Sequence, residues 1–479
     1  MMRRIVLQRG QRLAEQDLAR SGGVDAEVLG VASRIVEDVR ARGDEALAEY
    51  TASLDNATID RFLVTAEEIE AAVAAVEPEF LDALTSAAGA IEDFHRRQVT
   101  QSWFTTQEGG VFLGQKVTPI RRVGIYVPGG RAKYPSSVLM NAIPAMVAGV
   151  DEVAMVVPPA ADGTVNPYTL AAAAEAGVDE IYKVGGAQAI AALAYGTRQI
   201  PRVDKIVGPG NAYVTAAKKL VMGDVGIDML AGPSEVLVLA DETAVPAFVA
   251  IDLMAQAEHD PRAATYLVTT DETLPDLVEE ALEALLGDSP RGEITARSLT
   301  DNGVVVVCPD VVAALDTVDL IAPEHLEVQV ADPFDVLGSI RNAGAIFLGQ
   351  WTPESVGDYV AGPNHVLPTG GTARFSSPLS VDDFVKKSSV LSYSFEALEM
   401  DADVVSRIAS REGLWAHERA VSLRIEAVAE FVAEDDELEE LEAAFAEPAA
   451  ENRPGTASET DVEVLDETDE GFDEEEGGS

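Results

Sequence analysis

Histidine is scarce in this chain: five in 479 residues, His95, His259, His325, His365 and His417, so each is a candidate for chemistry. Gln256 and His259 fall in Asp252-Leu-Met-Ala-Gln-Ala-Glu-His259, a helical pattern stopped by Asp260-Pro261. Their spacing puts both side chains on one face of a last turn, where a metal ion could bridge them. A helix-end histidine can equally be structural, and Gln is an uncommon zinc ligand. Pro323-Glu324-His325 joins a carboxylate to an imidazole beside a strand. Such neighbours can be tuned apart as acid and base, or can be a solvated step in a loop. Gly357-Asp358-Tyr359 offers a hard anionic ligand. His365, seven residues after Asp358, fits either a supporting or a structural hydrogen bond. His417 falls on an apolar stripe of Leu414, Val421, Ile425, Val428 and Val432, at helical spacing. A histidine there is commonly a core residue, yet the last helix of the folded chain can also lie on a partner subunit.

The elements that must position these residues follow from the periodicity. Residues 11–100 read as mostly helical. After them come short apolar runs, Val123–Val127, Val153–Val157, Ile181–Val184 and Lys205–Val207, each followed by Gly or Pro and an Ala-rich helical stretch. A second set comprises Val236–Leu239, Tyr266–Val268, Gly303–Val307, Glu327–Val330 and Ala345–Leu348. Strands alternating with helices predict an α/β fold with mainly parallel sheets. Residues 351–386 are rich in Gly, Pro and Ser and read as a long functional connection. A helix is expected from about Glu412 to Val432, then an acidic low-complexity tail over 434–479, expected to be disordered. Gly185-Gly186-Ala-Gln188 and Gly208-Pro-Gly210-Asn211 follow strands and precede helices, so a helix N-terminus there could receive phosphates. Neither matches GxGxxG. Cys308 continues a buried strand and reads as a core thiol.

Composition excludes several classes. Acids outnumber bases 83 to 34, for a net charge of −49, and the first 430 residues alone carry −30. No basic cluster larger than Arg96-Arg97 or Lys218-Lys219 exists to face phosphates, which argues against nucleic-acid binding. Lysine accounts for 8 of the 34 bases. An acidic, lysine-poor surface stays soluble where salt screens its self-repulsion, which suggests a high-salt cytoplasm. The apolar runs stop short of a membrane span and the N-terminal residues lack a signal-peptide core, so a cytoplasmic protein is expected. A single cysteine forms no internal disulfide.

Assembled in order, the motifs closely resemble the histidinol dehydrogenase family. The blocks are Tyr126-Val-Pro-Gly-Gly130, Val184-Gly-Gly-Ala-Gln-Ala-Ile-Ala-Ala-Leu193, Gly208-Pro-Gly-Asn-Ala-Tyr213 and Ala231-Gly-Pro-Ser-Glu-Val-Leu237. They continue with Gln256-Ala-Glu-His259, Pro323-Glu-His-Leu326, Gly357-Asp-Tyr359, Asn364-His-Val-Leu-Pro368 and Glu412 to His417, covering about residues 30–430. The resemblance implies oxidation of L-histidinol to L-histidine through the aldehyde, with two NAD+ and one zinc ion per subunit. It implies Gln256, His259, Asp358 and His417 as zinc ligands and Glu324 with His325 as the acid/base pair. Ser234 and Glu412 would line the substrate site with the zinc ligands and His325, and Tyr126, Gln188 and Asn211 would contact NAD. It also implies a homodimer, with His417 reaching the partner's site. The acidic tail and the charge balance depart from the family pattern without touching a motif.

The resemblance further implies two Rossmann-like domains with incomplete, mainly parallel sheets: 31–123 plus 231–375 with the zinc and catalytic residues, and 124–230 on the NAD side. An N-terminal helical arm (1–30) and a C-terminal helical dimerisation segment (376–433) would flank them. Two other activities fit the same residues, a zinc/NAD dehydrogenase for another small alcohol and a zinc hydrolase in which Glu324 activates water. Glu412 and His417 favour an amino alcohol bearing imidazole.

Overall fold

A computed structural model describes residues 2–18, 25–129, 134–178 and 180–433. The expected tail over 434–479 lies outside the described residues, as do Gly130 of the Tyr126 block and residues 19–24 of the expected arm. The strands are β1 (Arg3–Val6), β2 (Trp103–Gln107), β3 (Val111–Pro119), β4 (Arg122–Tyr126), β5 (Glu152–Val157), β6 (Glu180–Lys183) and β7 (Lys205–Val207). They continue as β8 (Gly226–Ile227), β9 (Glu235–Ala240), β10 (Ala264–Thr269), β11 (Gly303–Val307), β12 (His325–Gln329), β13 (Ala345–Leu348) and β14 (Val385–Ser392).

The fold is mixed α/β, as expected. One six-stranded sheet runs β1-β11-β10-β9-β12-β13 and one five-stranded sheet runs β6-β5-β4-β7-β8, with parallel neighbours throughout. Strands β9, β10 and β11 are buried along their whole length because helices cover both faces, which is why they read as continuous apolar runs. Both sheets belong to one compact unit, Met1–Trp103 with Gln115–Ser389.

Helices α1 (Ala26–Arg42), α2 (Asp44–Leu54), α3 (Ala66–Ala75), α4 (Pro78–Arg96), α5 (Pro135–Ala148), α6 (Pro167–Glu175), α7 (Gly186–Tyr195) and α8 (Ala212–Val221) cover the five-stranded sheet. This corrects the expected boundary, which grouped 31–123 with the other sheet. Ile35, Val39 and Leu47 share a core with Tyr126, Ile190 and Ile206, while Leu84 and Ile91 pack with Val123 and Ile125. An apolar stripe shows that a helix needs a cover but not which sheet supplies it.

The expected helical arm is also corrected. Residues 3–6 form β1, paired in register with Val304–Val307 of β11. This exposed edge strand is made by its pairing, and four residues carry too little alternation to announce it. The three-stranded sheet β14-β3-β2 likewise went unread in the sequence.

On the six-stranded sheet lie α9 (Pro246–Ala257), α10 (Leu274–Leu286), α11 (Gly292–Asn302), α12 (Val311–Ile321), α13 (Pro333–Leu337) and α14 (Glu354–Tyr359). Buried β12 carries His325, Glu327 and Gln329 on one face and Leu326 and Val328 on the other, the latter pair packing in a separate core.

The described part of the second unit comprises residues 104–114 and 390–433. Its helices α15 (Phe395–Glu412) and α16 (Trp415–Ala433) pack as a hairpin. The helix expected from about Glu412 to Val432 is α16, which begins three residues later, and α15 precedes it. Gly413, at φ 73°, caps α15 in the left-handed region with its N–H on Ala409 and Ser410 carbonyls. Among the described residues, no helix is long and apolar enough to cross a membrane.

Candidate active site and family

The site forms where the start of β12 meets the end of α9. Strand pairing sets His325 opposite Val236 of β9 and Ala345 of β13. The turn into β12 is tight. Ala322 adopts φ 47°, unusual for a residue with a Cβ, and a Cβ on Gly344 would meet the Glu324 carbonyl oxygen at 2.5 Å. Glu324 and His325 are thereby both buried, at 6% and 4% exposure.

Glu324 Oε2 accepts the Glu235 backbone N–H at 2.8 Å. His325 Nδ1 lies 3.2 Å from the Glu235 carbonyl oxygen, an acceptor, so this nitrogen carries a proton. Nε2 faces Asp358 Oδ1 at 3.7 Å and Glu354 Oε1 at 3.9 Å. Gln256 Nε2 approaches the same Nδ1 at 3.4 Å. Ser234 immediately precedes β9, and its carbonyl accepts the Ala264 N–H at 3.0 Å.

Carboxylates dominate the electrostatics. Burial alone would lower the His325 imidazolium, but Glu354, Glu324 and Asp358 together push it up to about 10. Burial raises Glu324 to about 8, against the pull of His325. Glu354 rises to about 7 for the same reason. Burial works to raise Asp358 as well, yet His325 overcomes it and holds this carboxyl below its ordinary value. His259 follows the last turn of α9 with an edge open to solvent; the protein packed around it lowers its pKa, opposed by Asp358. His365 is lowered by burial and feels the charges of Asp358, His325 and His259.

The donor set fits a cation. The ligand atoms of His325, Glu354 and Asp358 lie within 4.8 Å of one another. His325 Nε2, Glu354 Oε2 and His365 Nε2 are buried without hydrogen-bond partners among the described residues. Oxygen and imidazole nitrogen donors together suit a borderline divalent ion.

The structure brings together Gln256, His259, Glu324, His325 and Asp358, with Ser234 beside them. Sequence reasoning missed Glu354. It lies one turn before Asp358 in α14, and that i,i+4 spacing was the available signal. It also passed over Glu235, which holds Glu324, and the buried polar trio Asp252, Glu327 and Gln329. Burial, then the charge of Asp252, pushes Glu327 up to about 9.

Glu412 and His417 lie in the second unit, on different helices and both exposed. Around His417, Val421, Ile425 and Val428 are half-buried and Leu414 is exposed.

Tyr126 meets the start of α7, the helix that carries Gln188, at the carboxyl edge of the five-stranded sheet. The Tyr126 hydroxyl accepts the Gly186 N–H at 3.1 Å, and Gln188 lies buried in the first turn of α7 with Oε1 unpartnered among the described residues. Asn211 caps α8, its Oδ1 accepting the Tyr213 and Val214 N–H groups at 3.0 and 3.1 Å.

The sequence profile described as Histidinol dehydrogenase matches residues 18–425. The chain belongs to the histidinol dehydrogenase family. The family member of Syntrophotalea carbinolica is 57% identical over 395 residues, covering 82% of this chain and 91% of the relative. That of Bacillus subtilis is 52% identical, covering 81% and 91%. The crystal structure of the Elizabethkingia anophelis histidinol dehydrogenase superposes with a TM-score of 0.83 at 37% identity, covering 89% of this chain and 99% of that one. Family membership makes this chain an oxidoreductase.

Proposed function

We propose that this chain oxidises L-histidinol to L-histidine through L-histidinaldehyde, using two NAD+ and one zinc ion per subunit. The observation that carries this reading is His325, with Nδ1 anchored on the Glu235 carbonyl, Nε2 turned to Asp358, and Glu324 beside it. Gln256, His259 and Asp358 would hold zinc, with His417 as a fourth ligand from the partner subunit in a homodimer. Bound zinc would supply a Lewis acid that takes the imidazole and amine of the substrate as readily as protein histidine.

With a cation bound among the carboxylates that hold its proton in the metal-free protein, His325 would be free to accept the alcohol proton at Nε2 as the substrate is oxidised by the first NAD+. Glu324, held by the Glu235 N–H, then takes a proton from water attacking the aldehyde, and the hydrate gives up the second hydride. Ser234 and Glu412 line the substrate site. Tyr126, Gln188 and Asn211 contact NAD at strand ends next to helix N-termini, where backbone N–H groups suit a pyrophosphate.

The test is absorbance at 340 nm after mixing protein, NAD+ and histidinol. Two NADH per histidinol, abolished by chelation and restored by Zn2+, is the expected outcome. Full turnover by demonstrably metal-free protein sinks the zinc reading. Water-dependent cleavage of an ester or amide without NADH would favour a zinc hydrolase.

A further inference from the structure

Three successive positions on one face of β12 are polar, although their strand neighbours on that face include Val236, Val238 and Phe347. His325 has a place in the chemistry; Glu327 and Gln329 have none so far. Gln329 Nε2 donates to Asp252 Oδ2 at 2.7 Å and to Glu327 Oε2 at 3.0 Å, clamping the Glu327 side chain from α9. The other oxygen, Oε1, accepts the backbone N–H of Glu354 at 2.8 Å. That amide opens α14 and would otherwise be an orphan donor in the interior. Glu327, Gln329, Asp252 and Glu354 are all buried.

Burying carboxyl groups is costly, and well-packed apolar residues of similar volume are often at least as stable. A stability role alone therefore explains this arrangement poorly. Helix α14 spans six residues, too short to hold itself, so its contacts decide where it sits. It carries both carboxylates that face His325 Nε2. We propose that Glu327, clamped by Gln329 and Asp252, is a positioning residue that sets where α14 places Glu354 and Asp358 relative to His325. The inference rests on the zinc reading above, in which Asp358 is a ligand. Groups that orient metal ligands typically cost 10–100-fold in metal affinity when removed.

The experiment compares Glu327→Gln, Glu327→Asp and Glu327→Leu in the holoenzyme, with Asp358→Ala as control. The zinc dissociation constant is measured by competition with a chelating dye, alongside kcat and KM for histidinol. The Gln variant keeps the acceptor for the Glu354 N–H, the bond on which the positioning role rests, and gives up only the one that Gln329 Nε2 makes to Oε2. The Asp variant retracts the acceptor by about 1.5 Å, one carbon–carbon bond. The expected result is zinc binding roughly 10–100-fold weaker in the Asp and Leu variants and within about threefold of wild type in the Gln variant. Should Glu327→Leu fail to fold, Glu327→Asp carries the comparison.

Wild-type zinc affinity in Glu327→Asp, with only the thermal midpoint lowered, overturns the positioning role. A loss in Glu327→Gln as large as in Glu327→Asp overturns it as well. Asp358→Ala separates the two ideas. If it binds zinc like wild type, the zinc reading itself fails; if it loses zinc while Glu327→Asp keeps it, only the positioning role fails.

Discussion

Gln256 and His325 are 69 residues apart in the chain, yet their side chains meet at 3.4 Å, Nε2 to Nδ1, between α9 and β12. The contact joins a proposed zinc ligand to the proposed base. A change on either side should therefore be felt by the other.

Replacing Glu324 with Gln should separate the two half-reactions. The amide cannot take a proton from water, while His325 still accepts the alcohol proton. Oxidation of histidinaldehyde should fall by about 10²–10⁴-fold, the usual range for losing a general base. The first hydride transfer, followed as the NADH formed in a single turnover of histidinol, should fall far less. Equal losses in both steps would reassign Glu324 to substrate orientation.

The metal-free protein should lose stability as pH rises from 6 to 10. His325 is raised to about 10, so its stabilising proton is fully present below the unfolded value of 6.5 and is lost as pH rises through 10. Glu324 has the same sign. Its folded pKa of about 8 favours the protonated form, so the folded state is penalised progressively as pH climbs from 4.5 to 8. The thermal midpoint of chelated protein should drop by several degrees over this range, and Glu324→Gln should flatten the lower part of the curve. A midpoint that rises with pH would contradict the charge arrangement.

Gly357→Ala tests how closely α14 is seated. A Cβ at this position would lie 2.5 Å from Phe347 Cε1 on β13, so helix or ring must move. Overpacking of this kind costs about 1–3 kcal/mol and should displace Asp358, the next residue. Turnover and zinc retention should both fall. Combining Gly357→Ala with Phe347→Leu should recover much of each, and failure to recover would mean that the ring is not what the methyl meets.

The proposal that His417 completes the partner subunit's site can be tested by complementation. His259→Ala and His417→Ala homodimers should each be nearly inactive. After co-refolding, half of random dimers are mixed, and a twofold shared site leaves one intact site in each, so activity should return to about one quarter of wild type. If His417 serves its own chain, nothing recovers, even with mixed dimers confirmed by mass spectrometry.

Much of this molecule was legible in its residues. The runs in β4, β5 and β9–β11 could be read because strands buried on both faces are largely apolar along their length. Gln256, Glu324, His325 and Asp358 stood out as polar residues in short ordered blocks. What the chain alone could not show was adjacency. Edge strand β1 exists through its pairing with β11, and α1–α4 settle on the five-stranded sheet although their stripes would suit either. Glu327 and Gln329 look like the solvent side of an ordinary alternating strand, since a period of two reports which residues share a face and not whether water or a helix covers it. Packing of α9 and α14 on that face turned it into an interior polar surface. Glu354 became a neighbour of His325 in the same way, because proximity between distant segments is decided where elements dock and not by their local sequence.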